Sequence, residues 1–219
     1  MPRLIDLSHT IDQGMVTYKG LPGPLICDYL SREASRKLYA PGTEFQIGKI
    51  DMVGNTGTYL DSPFHRYADG KDLSQLSLRS LANLPCVVAH LDPGEGRAIG
   101  SLPLAPSDVR GCAVLVDTGW SRHWRTDQYF EGHPYLTGAT AQWLVDAGAA
   151  LVGIDSYNID STDDGRRPVH TTLLRQDIPI VEHLRSVAEL PKFGSRFFAV
   201  PPKIAGFGTF PVRAYALVD

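Results

Sequence analysis

Two stretches of the sequence bring together side chains that exchange protons or bind cations near neutral pH. The first is Gly54 to His65, GNTGTYLDSPFH, where Asp61 and His65 lie four residues apart on either side of Pro63. Its glycines permit tight backbone turns, so a loop here can aim several polar groups at one point. An imidazole with an unperturbed pKa of about 6.5 gives and takes protons near neutrality. The second stretch is His170 to Glu182, HTTLLRQDIPIVE, in which an imidazole and a carboxylate flank an apolar segment. A strand inside that gap can return both to one place. Each stretch has an ordinary reading too: a Gly/Pro turn with a solvated Asp and a surface His, and an exposed His before a helix with a Glu in a helical first turn. Together Asp61, His170 and Glu182 would offer one nitrogen and two carboxylates, a set that suits divalent zinc, manganese or iron.

The elements that must position these groups are mostly short strands. Gly and Pro supply 21 and 16 of the 219 residues, which favours a strand- and loop-rich chain over a helix bundle. Strands are predicted at Leu4 to Asp6, Phe45 to Val53, Cys86 to Leu91, Ala113 to Asp117, Leu151 to Ile154, Phe197 to Pro201 and Val212 to Leu217. A helix is predicted over Ala139 to Ala147, with Thr137 as its cap and Gly148 beyond its end. A second is predicted over Leu76 to Leu84 and a third from near Glu182, while Ser161 to Pro168 reads as a loop. No linker, repeat or low-complexity tract divides the chain, so one domain over residues 1–219 is expected.

Composition narrows the function classes. A formal charge of −3, from 21 Lys+Arg against 24 Asp+Glu, comes with no basic run, so neither nucleic acid nor an anionic membrane is expected as a partner. A small-molecule substrate fits better. No signal-like or membrane-length apolar segment is found, and a cytoplasmic location is expected. Cys27, Cys86 and Cys112 are widely spaced without a C-x-x-C pair and read as buried or neutral thiols. His9, His90, His123 and His183 read as packing or surface residues, and His133 as shaping a loop before Pro134. Trp120, Trp124 and Tyr135 could line an aromatic pocket, although such aromatics more often belong to the core.

In sequence order the chain resembles the metal-dependent cyclase family that includes kynurenine formamidases and isatin hydrolases. The resemblance rests on Asp6-Leu7-Ser8-His9, the run from Asn55 to His65, Asp117 to Trp120, His133 to Leu136, Gly153 to Ser156, His170 with Glu182, and Phe210 to Ala214. The family's hallmark loop is similar to H-x-G-T-H-x-D-x-P-x-H. Gly57, Thr58, Asp61, Pro63 and His65 fit it, whereas Asn55 and Tyr59 stand where histidines are expected.

By that resemblance the fold is a mixed-sheet β/β/α arrangement of the α/β class, commonly assembled as a homodimer or higher homo-oligomer. It implies that Asp61, His170 and Glu182 ligate one divalent metal ion, zinc or manganese, and that His65 is the general acid/base. Tyr59, a poor ligand at its unperturbed pKa of about 10, could instead donate a hydrogen bond to a substrate carbonyl. The activity implied is hydrolysis of an amide, lactone or ester in a small cyclic or aromatic substrate. Two alternatives stand beside it: a metal-independent acid/base enzyme using His65, such as a cyclase or dehydratase, and a binding protein that has lost turnover.

Overall fold

The computed structural model describes residues 2–92 and 96–218. Its strands are β1 (Arg3–Asp6), β2 (Leu25–Leu30), β3 (Ile47–Asp51), β4 (Tyr59–Asp61), β5 (Leu84–His90), β6 (Ala98–Ile99) and β7 (Ala113–Asp117), then β8 (Tyr135–Leu136), β9 (Leu151–Ile154), β10 (Ile180–Glu182), β11 (Ser195–Phe198), β12 (Thr209–Pro211) and β13 (Tyr215–Val218). The helices are α1 (Arg32–Ser35), α2 (Pro106–Val109), α3 (Gly138–Ala147) and α4 (Pro168–Arg175). Nine strands form one mixed sheet in the order β1-β13-β11-β5-β7-β9-β10-β4-β12. It collects strands from both ends of the chain. The expected mixed-sheet α/β class is therefore what the chain adopts.

The central strands β5, β7, β9 and β10 run parallel. Their near-continuous apolar runs suit strands covered on both faces. Val87, Val114, Val116, Val152 and Ile154 pack on Leu144 of α3 and Leu173 of α4. Their alternates Cys86, Val88, Ala113, Leu115 and Leu151 pack on Leu81, Leu184, Val187 and Phe197. This period of two splits the core into two layers, one on each side of the sheet. The α3 helix starts as its sequence indicates: Thr137 accepts the Thr140 N–H, and Gly148 closes the end at φ 81°.

Several elements depart from expectation, among them the strand β4 inside the stretch read as a loop. The helix expected over Leu76 to Leu84 is a single 3-10 turn, Leu78–Ser80, because β5 already begins at Leu84. No helix starts near Glu182, which instead ends β10, and His183 and Ser186 turn the backbone left-handed at φ 56° and 54°. Besides the single turns α1 and α2, the unexpected helix is α4, which begins with Pro168 at its first turn, where a missing N–H costs nothing. Reading Pro168 as the end of a loop concealed it.

Strands β2 and β3 form a separate hairpin that is almost wholly exposed. With its connection it shows Leu25, Ile26, Tyr29, Leu38, Tyr39, Phe45, Ile47 and Ile50 to solvent. Among the described residues no helix is long and apolar enough to cross a membrane.

Candidate active site

Strand β4 lies between β10 and β12, and its register assembles the site. Asp61 sits opposite Ile180 and Thr209, and Tyr59 opposite Glu182 and Pro211. His170 comes from α4, which leads into β10. The two sequence stretches therefore meet, and every ordinary reading of a solvated Asp61, His170 or Glu182 fails: these residues are 0%, 6% and 1% exposed.

At the centre, His170 Nε2 lies 3.6 Å from Asp61 Oδ2 and 3.8 Å from Glu182 Oε1. These separations are too long for hydrogen bonds, and Asp61 Oδ2 is buried with no hydrogen-bond partner. Leaving a buried carboxylate oxygen unpaired is costly, so the geometry asks for a cation. Donors about 2.0–2.2 Å from a tetrahedral ion stand roughly 3.4 Å apart, close to the spacing seen here. The other imidazole nitrogen, His170 Nδ1, is 2.7 Å from Asp160 Oδ2, and the Asp160 carboxylate also accepts the N–H groups of Val169 and His170. A carboxylate in this place fixes the tautomer that leaves Nε2 bare, the arrangement characteristic of metal-binding histidines. The residues present fit a divalent ion.

Electrostatics agree. Burial lowers the pKa of His170, but the hydrogen bond to Asp160 and the nearby carboxylates of Asp61 and Glu182 outweigh it and push the imidazole up to about 10. Burial pushes the Asp61 carboxyl up, yet His65, His170 and Thr209 hold it below its ordinary value. Glu182 is raised, chiefly by burial. Three buried groups thus crowd around one point that favours positive charge.

His65 stands at the pocket edge in the 3-10 turn Pro63–His65, with about a third of its side chain exposed. Its Nδ1 is 2.7 Å from Thr209 Oγ1, and that hydroxyl donates to Asp61 Oδ1. Since the hydroxyl proton is directed at Asp61, His65 donates through Nδ1–H and keeps Nε2 free to accept a proton. The His65, Asp61 and His170 donor atoms all lie within 4.8 Å of one another, so the compact three-donor cluster that could hold an ion pairs Asp61 and His170 with His65, while Glu182 approaches His170 from beside it. Gly208 makes this closeness possible: a Cβ there would meet His65 N at 2.6 Å and Cα at 2.7 Å.

Tyr59 is buried, and its hydroxyl donates to Glu182 Oε2 at 2.6 Å. Glu182 Oε1 accepts the Ile159 N–H at 2.7 Å. In this geometry the phenol proton is committed to Glu182 and does not reach out to a carbonyl. Behind it, His183 Nε2 lies 3.3 Å from Tyr59 Oη and His183 Nδ1 lies 2.8 Å from Tyr129 Oη. The groups open on a pocket of about 270 Å³ whose walls add Tyr18, Leu21, Asn55, Arg66, Asn158 and Arg167.

Four residues escaped the sequence reading: Thr209, Asp160, Tyr129 and His183. Asp160 carried one usable signal, a carboxylate ten residues before a candidate ligand histidine. Thr209 and Tyr129 carried none, because only sheet register and loop packing bring them in. Trp120, Trp124 and Tyr135 do not share the pocket. Trp124 stacks on His9 at 3.9 Å, Trp120 lines a separate cleft of about 620 Å³, and Tyr135 lies beneath Arg97. His133 is fully buried, and Cys86 alone of the three thiols is buried.

Residues 5–161 match the family model described as "Cyclase: Putative cyclase". Kynurenine formamidase from Bacillus cereus is 27% identical over 210 residues, covering 96% of this chain and 95% of that protein. Kynurenine formamidase from Geobacillus thermodenitrificans is 31% identical over 182 residues, covering 82% and 81%. Among solved structures, isatin hydrolase A from Labrenzia aggregata bound to benzyl benzoate superposes with a TM-score of 0.83 at 20% identity, covering 99% of this chain and 94% of that one.

Proposed function

The chain belongs to the cyclase family, and we propose from this that it is a metal-dependent hydrolase cleaving an amide, lactone or ester bond in a small cyclic or aromatic substrate. The observation that carries this reading is the buried, unpartnered Asp61 Oδ2 facing His170 Nε2 beside Glu182. The relatives named kynurenine formamidase favour a formamide of an aromatic amine.

Asp61, His170 and Glu182 would hold one divalent ion, zinc or manganese, both of which accept one imidazole and two carboxylates. Such an ion supplies Lewis acidity, polarising a carbonyl and acidifying water. The chain's own groups do the rest. His65 Nε2 takes the proton of the attacking water and then passes it to the departing amine or alkoxide, work worth roughly 10²–10⁴-fold. Thr209 and Asp61 orient the ring for both transfers through the contact at Nδ1. Asp160 keeps His170 Nε2 unprotonated for ligation.

The reading extends to the whole molecule: residues 1–219 act as one domain, in the cytoplasm, as a homodimer or higher homo-oligomer. The many exposed large apolar side chains of the β2–β3 hairpin support self-association, which would cover them from water. The His65–Thr209–Asp61 contacts are complete without an ion, which favours acid/base chemistry alone as the second reading.

A panel of the formamide of kynurenine, isatin and aryl esters, run before and after chelator treatment, tests this. Turnover that disappears with chelator and returns with zinc or manganese is expected, together with a loss of 10²-fold or more in His65→Ala at unchanged metal content. Chelator-resistant turnover selects the metal-free reading. Metal loss in His65→Ala makes His65 a ligand instead.

A further inference from the structure

Tyr129 and His183 are fully buried polar side chains, at 1% and 0% exposure, and neither faces the pocket that holds the chemistry. An apolar pair would fill that space without hydrogen-bonding demands. What they do instead is bond to each other at 2.8 Å, while His183 also bonds to Tyr59 at 3.3 Å and Tyr59 to Glu182 at 2.6 Å. The result is an unbroken line from Tyr129 Oη to Glu182 Oε2. His183 follows Glu182 directly, and its φ of 56° is a conformation that side chains other than glycine seldom adopt. Trp124 packs edge-on against both Tyr129 and His183, at 5.0 and 5.7 Å between ring centroids, and holds them in line.

The line has a direction. A carboxylate oxygen only accepts, so Tyr59 donates its single proton to Glu182. The Tyr59 oxygen is then left to accept, and His183 must approach it with Nε2–H. A neutral imidazole has one N–H, so Nδ1 is bare and Tyr129 must donate to it. The direction of each bond fixes the next. Without the Tyr129 hydroxyl, the imidazole proton can move to Nδ1, Nε2 becomes an acceptor, and Tyr59 is free to turn its proton from Glu182 to His183.

We propose that Tyr129, His183 and Tyr59 are positioning residues acting as one directional hydrogen-bond chain, which caps Glu182 Oε2 and holds Glu182 Oε1 toward His170. The proposal rests on the metal-site reading given above. Each Glu182 oxygen keeps a lone pair beside its one hydrogen bond, Oε2 with the phenol and Oε1 with the Ile159 N–H, and the chain fixes which of them, Oε1, faces His170 Nε2 at 3.8 Å. The orientation of Glu182 is therefore set by a hydroxyl that touches neither the ion nor the substrate.

The test uses Tyr129→Phe, which removes one oxygen and keeps the ring. Zinc affinity is read by competition with a chromophoric chelator, and the ligand field by the visible absorption of the cobalt-loaded protein. Losing a group that orients a metal ligand commonly weakens binding about 10–100-fold. We expect about 10-fold weaker zinc in Tyr129→Phe, an altered cobalt spectrum, and at least as large a loss in Tyr59→Phe. The double variant should bind no more weakly than Tyr59→Phe alone, since both changes break the same line. Nitrogen-15 spectra of the metal-free wild type should show His183 as the Nε2–H tautomer, shifting toward Nδ1–H in Tyr129→Phe. Unchanged zinc affinity in Tyr129→Phe, additive losses in the double variant, or an Nδ1–H tautomer in the wild type would each overturn the proposal alone. A wild type that takes up no zinc overturns the metal-site reading, and the proposal with it.

Discussion

Asp160→Asn replaces a single oxygen by an amide nitrogen, and the structure determines what that does. The Asp160 carboxylate accepts three bonds: Val169 N–H at 2.7 Å on Oδ1, and His170 N–H at 2.9 Å and His170 Nδ1 at 2.7 Å on Oδ2. Asparagine offers one accepting oxygen and one donating nitrogen, so it cannot serve both sides. With its oxygen toward His170, it strands the Val169 N–H at the start of α4, a buried orphan costing about 1–3 kcal/mol. With its nitrogen toward His170, it donates to Nδ1 and drives the imidazole proton to Nε2, which closes that atom to a metal. The first orientation swaps a carboxylate for a neutral amide at Nδ1–H and leaves the imidazole a poorer donor, the second closes Nε2, and in both we expect a fall in zinc affinity of about 10–100-fold, roughly 1.4–2.7 kcal/mol. Chelator competition measures the affinity, and urea unfolding of the metal-free protein measures the cost to the fold. A folded Asp160→Asn protein with wild-type zinc affinity would refute the assignment of His170 as a ligand held by Asp160.

Two other substitutions test the surroundings of the site. Gly208→Ala places a Cβ within 2.6 Å of His65 N, so the backbone must shift. Overpacking of this kind costs about 1–3 kcal/mol, and turnover should fall at least 10-fold as His65 leaves Thr209, whereas Gly165→Ala, where nothing lies within 4 Å, should change neither in urea unfolding and rate assays. Burial raises the Asp155 carboxyl to about 6 from an ordinary 3.8, against the opposing bonds of Thr118. A raised folded-state pKa favours the fold fully below pH 3.8, and that contribution is lost as pH rises through about 6. Asp155→Asn should therefore gain about 2 kcal/mol relative to wild type between pH 4 and pH 7.5, and a constant difference across that window would count against a buried, protonatable Asp155.

Much of the fold could be read from local pattern. The runs around Val87, Val114 and Val152 announce strands covered on both faces, and Thr137 with Gly148 bounds α3 closely. The helix α4 was hidden because Pro168 signals both loop ends and first helical turns, and the choice depended on Asp160 accepting the N–H groups of Val169 and His170. Asp61, His65, His170 and Glu182 were identifiable from residue type and family resemblance together. Their partners were not: Thr209 reaches Asp61 through an antiparallel register across 148 positions, and His183 reaches Tyr59 only because its backbone turns left-handed. Such contacts leave no trace in spacing.

The central claim is that Asp61, His170 and Glu182 hold one divalent ion, and elemental analysis of protein purified without added metal, then loaded with zinc and gel-filtered, tests it most directly. The account predicts about one ion per chain in the wild type and little in Asp61→Ala, because that change removes the buried oxygen with no other partner and leaves two ligands behind. Equal metal content in the two proteins, or a wild type that holds none after loading, would contradict it.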